Sequence, residues 1–288
     1  MSLSARTPTG ADTMGGIPEQ WANLLIDEAQ KELVCFDAIS HEWQVGKKRG
    51  DTVNIPVTAH TTAATEVTVG SKAATDGIAG TKIQLVMDQW YEKPIDVDTM
   101  TLEQSQIDWE KECKKEAEYA IRVKIDTTVA TLFSTLYTTG GVQGTDGSKV
   151  TDDLLADITE LLDEADVPRD GDRFCIVDPS VIRDMMDYDK FVTAQYVSIG
   201  AIQNGTVIKG HPIYGANFRV TNNLVATGSA GAYAVMMHRK ALAGAIQMII
   251  PWVKPFEELH QVRYQHEALW GVKEVRDTFG IPFYTRKA

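Results

Sequence analysis

GDTVNIPVTAHTTAATEVTVGSKAATDGIAGTKIQLVMDQWYEKPIDVD, residues 50–98, alternates β-branched with small polar residues along most of its length. Glycines interrupt it at Gly70, Gly77 and Gly80, and its middle is nearly free of large apolar side chains. Alternation of this kind fits extended strands, and the glycines fit turns. The pattern predicts a long two-stranded antiparallel ribbon over 50–98 with a soft tip. A ribbon without a packed face is marginal in water. It therefore needs a cover, and another chain is the expected source.

On the C-terminal side, Thr101–Tyr137 contains neither Gly nor Pro. Trp109, Cys113, Ala117, Ala120, Ile121, Ile125, Val129, Leu132, Phe133 and Leu136 make one apolar stripe at helical spacing. Thr101 and Gln104 have the spacing of a capping box. At 1.5 Å per residue the predicted helix is roughly 55 Å long, far beyond the usual globular length. On the N-terminal side, Pro18–Phe36 places Trp21, Leu24, Leu25, Ala29 and Leu33 three and four apart, a helix opened by a proline in its first turn. The first 16 residues are rich in Gly, Thr, Ser and Ala, the composition of a flexible arm.

The long helix runs into TTGGVQGTDGSK, residues 138–149, a glycine-rich boundary. Beyond it, Thr151–Asp166 reads as an acidic amphipathic helix with Leu154, Leu155, Ile158, Leu161 and Leu162 inward. Arg173–Val177 reads as a short strand and Ser180–Tyr188 as a helix. A turn and strand follow at 212–220, ending at Thr221-Asn222-Asn223-Leu224, then apolar strands at Gly231–Met237 and Leu242–Ile250. These make a compact α+β lobe. Residues 151–190 hold 13 Asp and Glu against 4 Lys and Arg, so this lobe carries much of the acidity. In 257–286 the period changes to two. Val262, Tyr264, Ala268, Trp270 and Val272 share one strand face, and Arg263, Gln265, Glu267 and Lys273 share the other. A further strand is expected at Gly280–Tyr284.

Composition narrows the function. The chain has 288 residues, 43% hydrophobic and 24% charged, with a formal net charge of −12. A surplus of acids argues against a protein whose affinity comes from neutralising phosphates. No stretch approaches the roughly 18 to 20 apolar residues of a membrane helix, and the start lacks the apolar core of a signal peptide. Cys35, Cys113 and Cys175 are far apart, odd in number and set among apolar residues, which favours buried thiols over a disulfide or metal site.

Chemistry is sparse. Asp170, Asp172, Asp178 and Asp184 crowd one stretch, and carboxylates can do acid–base work or hold a divalent cation. The same residues also suit an Asp-Gly-Asp turn, a helix start at Asp178-Pro179 and a solvated Asp184. His260 and His266, read as one strand face, stand roughly 20 Å apart, too far for one metal. His41, His60, His211 and His238 have no ligand-spaced neighbours. Gly140–Gly144 follows a helix instead of a strand, unlike a phosphate loop. No catalytic, cofactor-binding or metal residue is assigned.

Arm, short helix, glycine-bearing hairpin, very long helix, α+β lobe and return strands, in that order, resemble the major capsid proteins of tailed double-stranded DNA bacteriophages with the Hong Kong 97 type fold. Local similarity lies in Asp166-Val-Pro168 through Asp178-Pro179, in Asn204-Gly205 and Lys209-Gly210, in Gly215 through Asn222-Asn223-Leu224, and in Trp270–Asp277. The resemblance implies an arm over 1–17, a helix and start of a peripheral domain over 18–49, and an extended loop over 50–98. It further implies a spine helix over 99–139, an axial domain over 140–255 and return strands of the peripheral domain over 256–288. It implies a non-enzymatic virion protein, assembled in the host cytoplasm into hexamers and pentamers of an icosahedral shell around double-stranded DNA. Scaffolding, portal and head-completion proteins are the implied partners, and no cofactor or membrane is implied. The first 16 residues are short for a removable scaffolding segment, so a separate scaffolding protein is expected. Candidate subunit contacts are Thr65, Glu66, Val69 and Lys72 on the loop and Gln195, Tyr196 and Asn204 in the lobe. Covalent Lys–Asn crosslinking is not carried over to Lys72 or Asn222, since no local motif supports it. Two alternatives are an encapsulin-like compartment shell and a metal-dependent hydrolase using Asp170, Asp172 and Asp178.

Overall fold

The computed structural model describes residues 30–31, 33–44, 52–58, 69–70, 80–105, 108–188, 214–228 and 230–286. The predicted arm, most of the Pro18–Phe36 helix and the polar segment 189–213 lie outside these. The described end of that helix departs from expectation, since 30–31 and 33–34 are not helical and only a 3-10 turn, Phe36–Ala38, follows, with Cys35, Ala38 and Ile39 drawn into the core instead. In chain order the strands and helices are β1 (Thr52–Thr58), β2 (Gly80–Val86), β3 (Gln89–Asp98), α1 (Thr99–Gln104), α2 (Trp109–Thr131) and α3 (Asp152–Glu164). Then come β4 (Arg173–Val177), α4 (Pro179–Met186), β5 (Asn217–Val220), β6 (Gly231–His238), β7 (Leu242–Phe256), β8 (Gln261–Glu274) and β9 (Gly280–Arg286).

The strands form three sheets. β1 and β2 pair as an antiparallel ribbon, from Thr52↔Val86 to Thr58↔Gly80. A three-stranded antiparallel sheet has the order β3-β8-β7, and a four-stranded sheet has the order β5-β4-β6-β9, with only β4 and β5 parallel. Pairing corrects the expected partition in three places. The ribbon stops at Val86, and Gln89–Asp98 leaves it to pair with β8 from Trp270 to Gln261. β7, expected in the acidic lobe, is also a partner of β8, because a tight turn at Arg239–Ala241 redirects the chain after β6. β9, expected among the return strands, instead closes the four-stranded sheet beside β6. Alternation marks a strand but says nothing of its partner, which is chosen by packing far along the chain.

The 37 residues expected as one helix, Thr101–Tyr137, are broken. α1 ends at Gln104, where Ser105 turns to an extended backbone, and α2 starts afresh with Asp108 as its N-cap. Asp108 Oδ1 accepts from the Lys111 N–H (3.3 Å), so the side chain meets an amide that no intrahelical carbonyl can reach. Thr101 lies inside α1 instead of capping a helix. With 23 residues, α2 is about 34 Å long.

α2 nevertheless joins the two larger sheets. Its middle lays Ile121 and Ile125 on Ala268 and Trp270 of β8. Its end, with Phe133 and Leu136 beyond it, enters a larger core built on β4, β6 and β9 and roofed by Leu155, Ile158 and Leu162 of α3 and Val181 and Met185 of α4. All five residues of β4 are buried, as befits a central strand covered on both faces. α3 is N-capped by Thr151, whose Oγ1 accepts from the Leu154 N–H (3.2 Å). The ribbon base is covered by its own chain: Val53, Ile55, Leu85 and Met87 pack on Ala243, Ala245 and Leu269. The expectation of a cover from another chain therefore does not hold for the base.

Candidate assembly surfaces

Of the contact residues predicted from sequence, Val69 is described: it is fully exposed, in a turn with Gly70. Thr65, Glu66, Lys72, Gln195, Tyr196 and Asn204 lie outside the described residues.

A second surface was not anticipated. Register places alternate rows of the β3-β8-β7 sheet on opposite faces. Tyr264, His266, Ala268 and Trp270 are buried on the α2 side. On the opposite side the ribbon base covers Ala243, Ala245 and Leu269. The rest of that side stays open, with Trp90 67% exposed, Pro94 exposed and Trp252 41% exposed. Its charges are answered internally. Asp96 accepts from Arg263 Nε and Nη2 at 2.6 and 2.7 Å, and this hydrogen bonding holds the Asp96 carboxyl below its ordinary range. Arg263 also lies over the Phe256 ring, and Lys254 over Trp252. Exposed tryptophan beside charges already paired can be desolvated with little electrostatic penalty, the make-up of an interface core. Both edge strands carry prolines, Pro94 in β3 and Pro251 and Pro255 in β7. An edge lacking those N–H groups is a poor template for another strand, which leaves the face as the part of this sheet suited to contact. The far end of the sheet adds Met100 and Leu259, 68% and 62% exposed, held together where Thr99 donates through N–H and Oγ1 to the His260 carbonyl (2.9 and 2.7 Å). The sequence did carry a signal: Trp90 shares strand parity with Glu92 and Asp96, the parity a strand turns to solvent.

The aspartates do not converge. Asp170 and Asp172 precede β4 and Asp178 follows it, so a five-residue strand, roughly 17 Å, separates them. Asp170 Oδ1 accepts from the Asp172 N–H (3.1 Å), the expected turn, and also meets His238 Nε2 at 3.1 Å. The backbone bond first, then His238, lowers its pKa. Asp178 accepts from Ser180 Oγ (2.7 Å), and burial pushes its carboxyl up. Asp184, expected to be solvated, has a fully buried side chain that accepts from Arg286 Nη2 (2.7 Å). Among the described residues no group of His, Cys, Asp or Glu is arranged to hold a metal. His260, read as part of a strand face, sits in the turn before β8 with φ 50. Cys35, Cys113 and Cys175 are free and buried, and burial raises each thiol's pKa.

A family model described as phage capsid protein matches residues 43–227. No curated protein matches the chain significantly. Among solved structures, one from Mycobacterium phage Che8 superimposes with a TM-score of 0.78 at 22% identity, covering 94% of this chain and 97% of that one. The capsid of cyanophage P-SCSP1u gives 0.77 at 15% identity, covering 98% and 96%. The asymmetric unit of the bacteriophage PhiM1 mature capsid gives 0.71 at 13% identity, covering 94% and 92%. The shared feature is the mixed α+β fold over nearly the full chain.

Proposed function

Because this chain belongs to the phage capsid protein family, a structural and non-enzymatic family whose members form the icosahedral shell of the virion, we propose how its parts divide the work of assembly. The chain associates with copies of itself in hexamers and pentamers around double-stranded DNA. The ribbon β1–β2 with its tip is the extended loop. α2 with the β3-β8-β7 sheet is the peripheral domain, and the four-stranded sheet with α3 and α4 is the axial domain. Thr65, Glu66, Val69 and Lys72 on the loop, and Gln195, Tyr196 and Asn204 in the axial domain, meet neighbouring subunits. A separate scaffolding protein, a portal and head-completion proteins complete the head.

The observation that carries this reading is the family match over 43–227, joined to the agreement of fold over more than nine-tenths of the chain. Physical support comes from side chains such as Val69, Trp90, Met100 and Leu259, which stand in water at the extremities of the elements. A monomer gains nothing from exposing them, whereas an assembly buries them. The net charge of −12 is also compatible with packing and releasing DNA, which a tightly binding lining would hinder. No observation favours the compartment shell, and the separation of Asp170 and Asp172 from Asp178 removes the basis of the hydrolase.

Negative-stain electron microscopy of the purified protein, with and without a crowding agent and with the head's scaffolding protein co-expressed, tests the proposal. Closed shells, tubes or rings of five or six subunits are expected. Deletion of Thr65–Gly77 is expected to abolish them while leaving a folded, soluble subunit. Equal shell yield from the deletion would overturn the role assigned to the loop.

A further inference from the structure

The seam between α2 and the three-stranded sheet contains a polar group without a partner. His266 is 8% exposed, on the buried face of β8, and neither ring nitrogen has a hydrogen-bond partner. The other two described histidines with buried or half-buried rings are treated differently. His238 meets Asp170 through Nε2 and accepts from the Lys240 N–H at Nδ1 (3.1 Å). His41 has the Phe36 and Gly244 carbonyls at 2.9 and 3.3 Å from its two ring nitrogens.

The surroundings of His266 would not welcome a proton. From α2, Lys114, Glu118 and the thiol of Cys113 face this seam, but Glu118 is paired with Arg122 (2.5 Å) and Lys114 with Glu110. From β3, its register partner is Lys93, a like charge. From β7, the register partner is Pro251, which does not titrate. On β8 itself, Tyr264 and Ala268 flank it on the same face. A neutral imidazole is tolerated there, but an imidazolium meets desolvation with no acceptor at either ring nitrogen, and Glu118, already paired with Arg122, offsets that only in part. We propose that His266 makes this seam acid-labile, so that its protonation loosens the first half of α2 from the sheet while the end of α2 stays in the larger core.

The proposal is independent of the assembly reading. Burial, foremost, lowers the His266 pKa from 6.5, against a smaller raising effect of Glu118. A lowered folded-state value means that its contribution is fully present above about pH 6.5 and is lost as pH falls through that lowered value. Hydrogen exchange of the full chain at about pH 7.5 and about pH 5, corrected for intrinsic rates, reads the seam directly. Protection of amides in 109–125 is expected to fall about tenfold per pH unit below 6.5 until the folded-state value is reached, while α3 stays protected. In His266→Phe and in His266→Met, the second covering a misfit of the ring, this differential loss is expected to vanish. Equal loss in the variants, or no loss in the wild type, overturns the proposal. Should neither variant fold, the NMR titration of His266 in the wild type decides: a midpoint clearly below 6.5 supports it, and one at or above 6.5 overturns it.

Discussion

Arg173 enters β4 with its side chain fully buried, and three acceptors meet it: the carbonyls of Val167 and Pro168 and the carboxylate of Asp163 (2.8 Å to Nη2). Asp163 is shared with Arg169. Hydrogen bonding from Arg169 first, then from Arg173, holds its carboxyl down at about 2. Asp163→Asn leaves a buried guanidinium short of its only anionic acceptor among the described residues. We expect a loss of about 2 kcal/mol at neutral pH, read from denaturant midpoints. Because the folded-state value lies below the ordinary 3.8, the wild type keeps this contribution above about pH 4 and loses it as pH falls toward about 2. The variant should therefore lose less than the wild type over that window. At this scale sequence was informative about local roles and blind to distant ones. The Asp170 turn was legible from a neighbour two positions away, whereas the Thr151 cap was read as the first residue of its helix. The contacts of Asp170 with His238 and of Asp184 with Arg286 span 68 and 102 positions and leave no local trace.

The ribbon is anchored where it crosses the sheet, at Gly271. A methyl group there would overlap the Val86 carbonyl oxygen and come within 2.9 Å of its carbon, both backbone atoms that cannot rotate away. Gly271→Ala is therefore expected to lift the ribbon base off Ala243, Ala245 and Leu269, at a cost of about 1–3 kcal/mol by the usual penalty for overpacking. Faster proteolysis within β1–β2, with the four-stranded core still protected, is the result that checks it. Uniform loss of protection would mean that the ribbon and core are one cooperative unit. The spine shows how periodicity misleads at the element scale. The predicted helix ran without Gly or Pro through residues 101–137, yet it breaks after Gln104, and Asp108 starts α2 afresh because a carboxylate can satisfy an amide that a continuous helix would bond through its backbone. The residues of the stripe were right: Cys113, Ala117, Ile121, Ile125 and Val129 are all buried. Only the continuity was not.

For the whole molecule, the open side of the β3-β8-β7 sheet distinguishes a subunit from a finished protein. Trp90 contributes little to the isolated fold at 67% exposure, so Trp90→Ser should change subunit stability by no more than about 0.5 kcal/mol. Under the proposed assembly it should reduce shell yield several-fold by sedimentation. Unchanged yield would place the subunit contacts elsewhere, and a large loss of stability would mean that Trp90 is a core residue after all. Sequence by itself determined the α+β class, the existence and type of nearly every described element, the inward faces of α2, α3 and β8, and the burial of the cysteines. These follow from hydrophobic period and turn chemistry, which act over a few residues. Tertiary structure alone decided which strands pair, sending β3 and β7 to β8 and β9 to β6. It also decided that the ribbon base is covered from within, and that the aspartates flanking β4 are held apart. Those outcomes depend on which surfaces can be buried together across a hundred or more positions, a property of packing in three dimensions that no local pattern encodes.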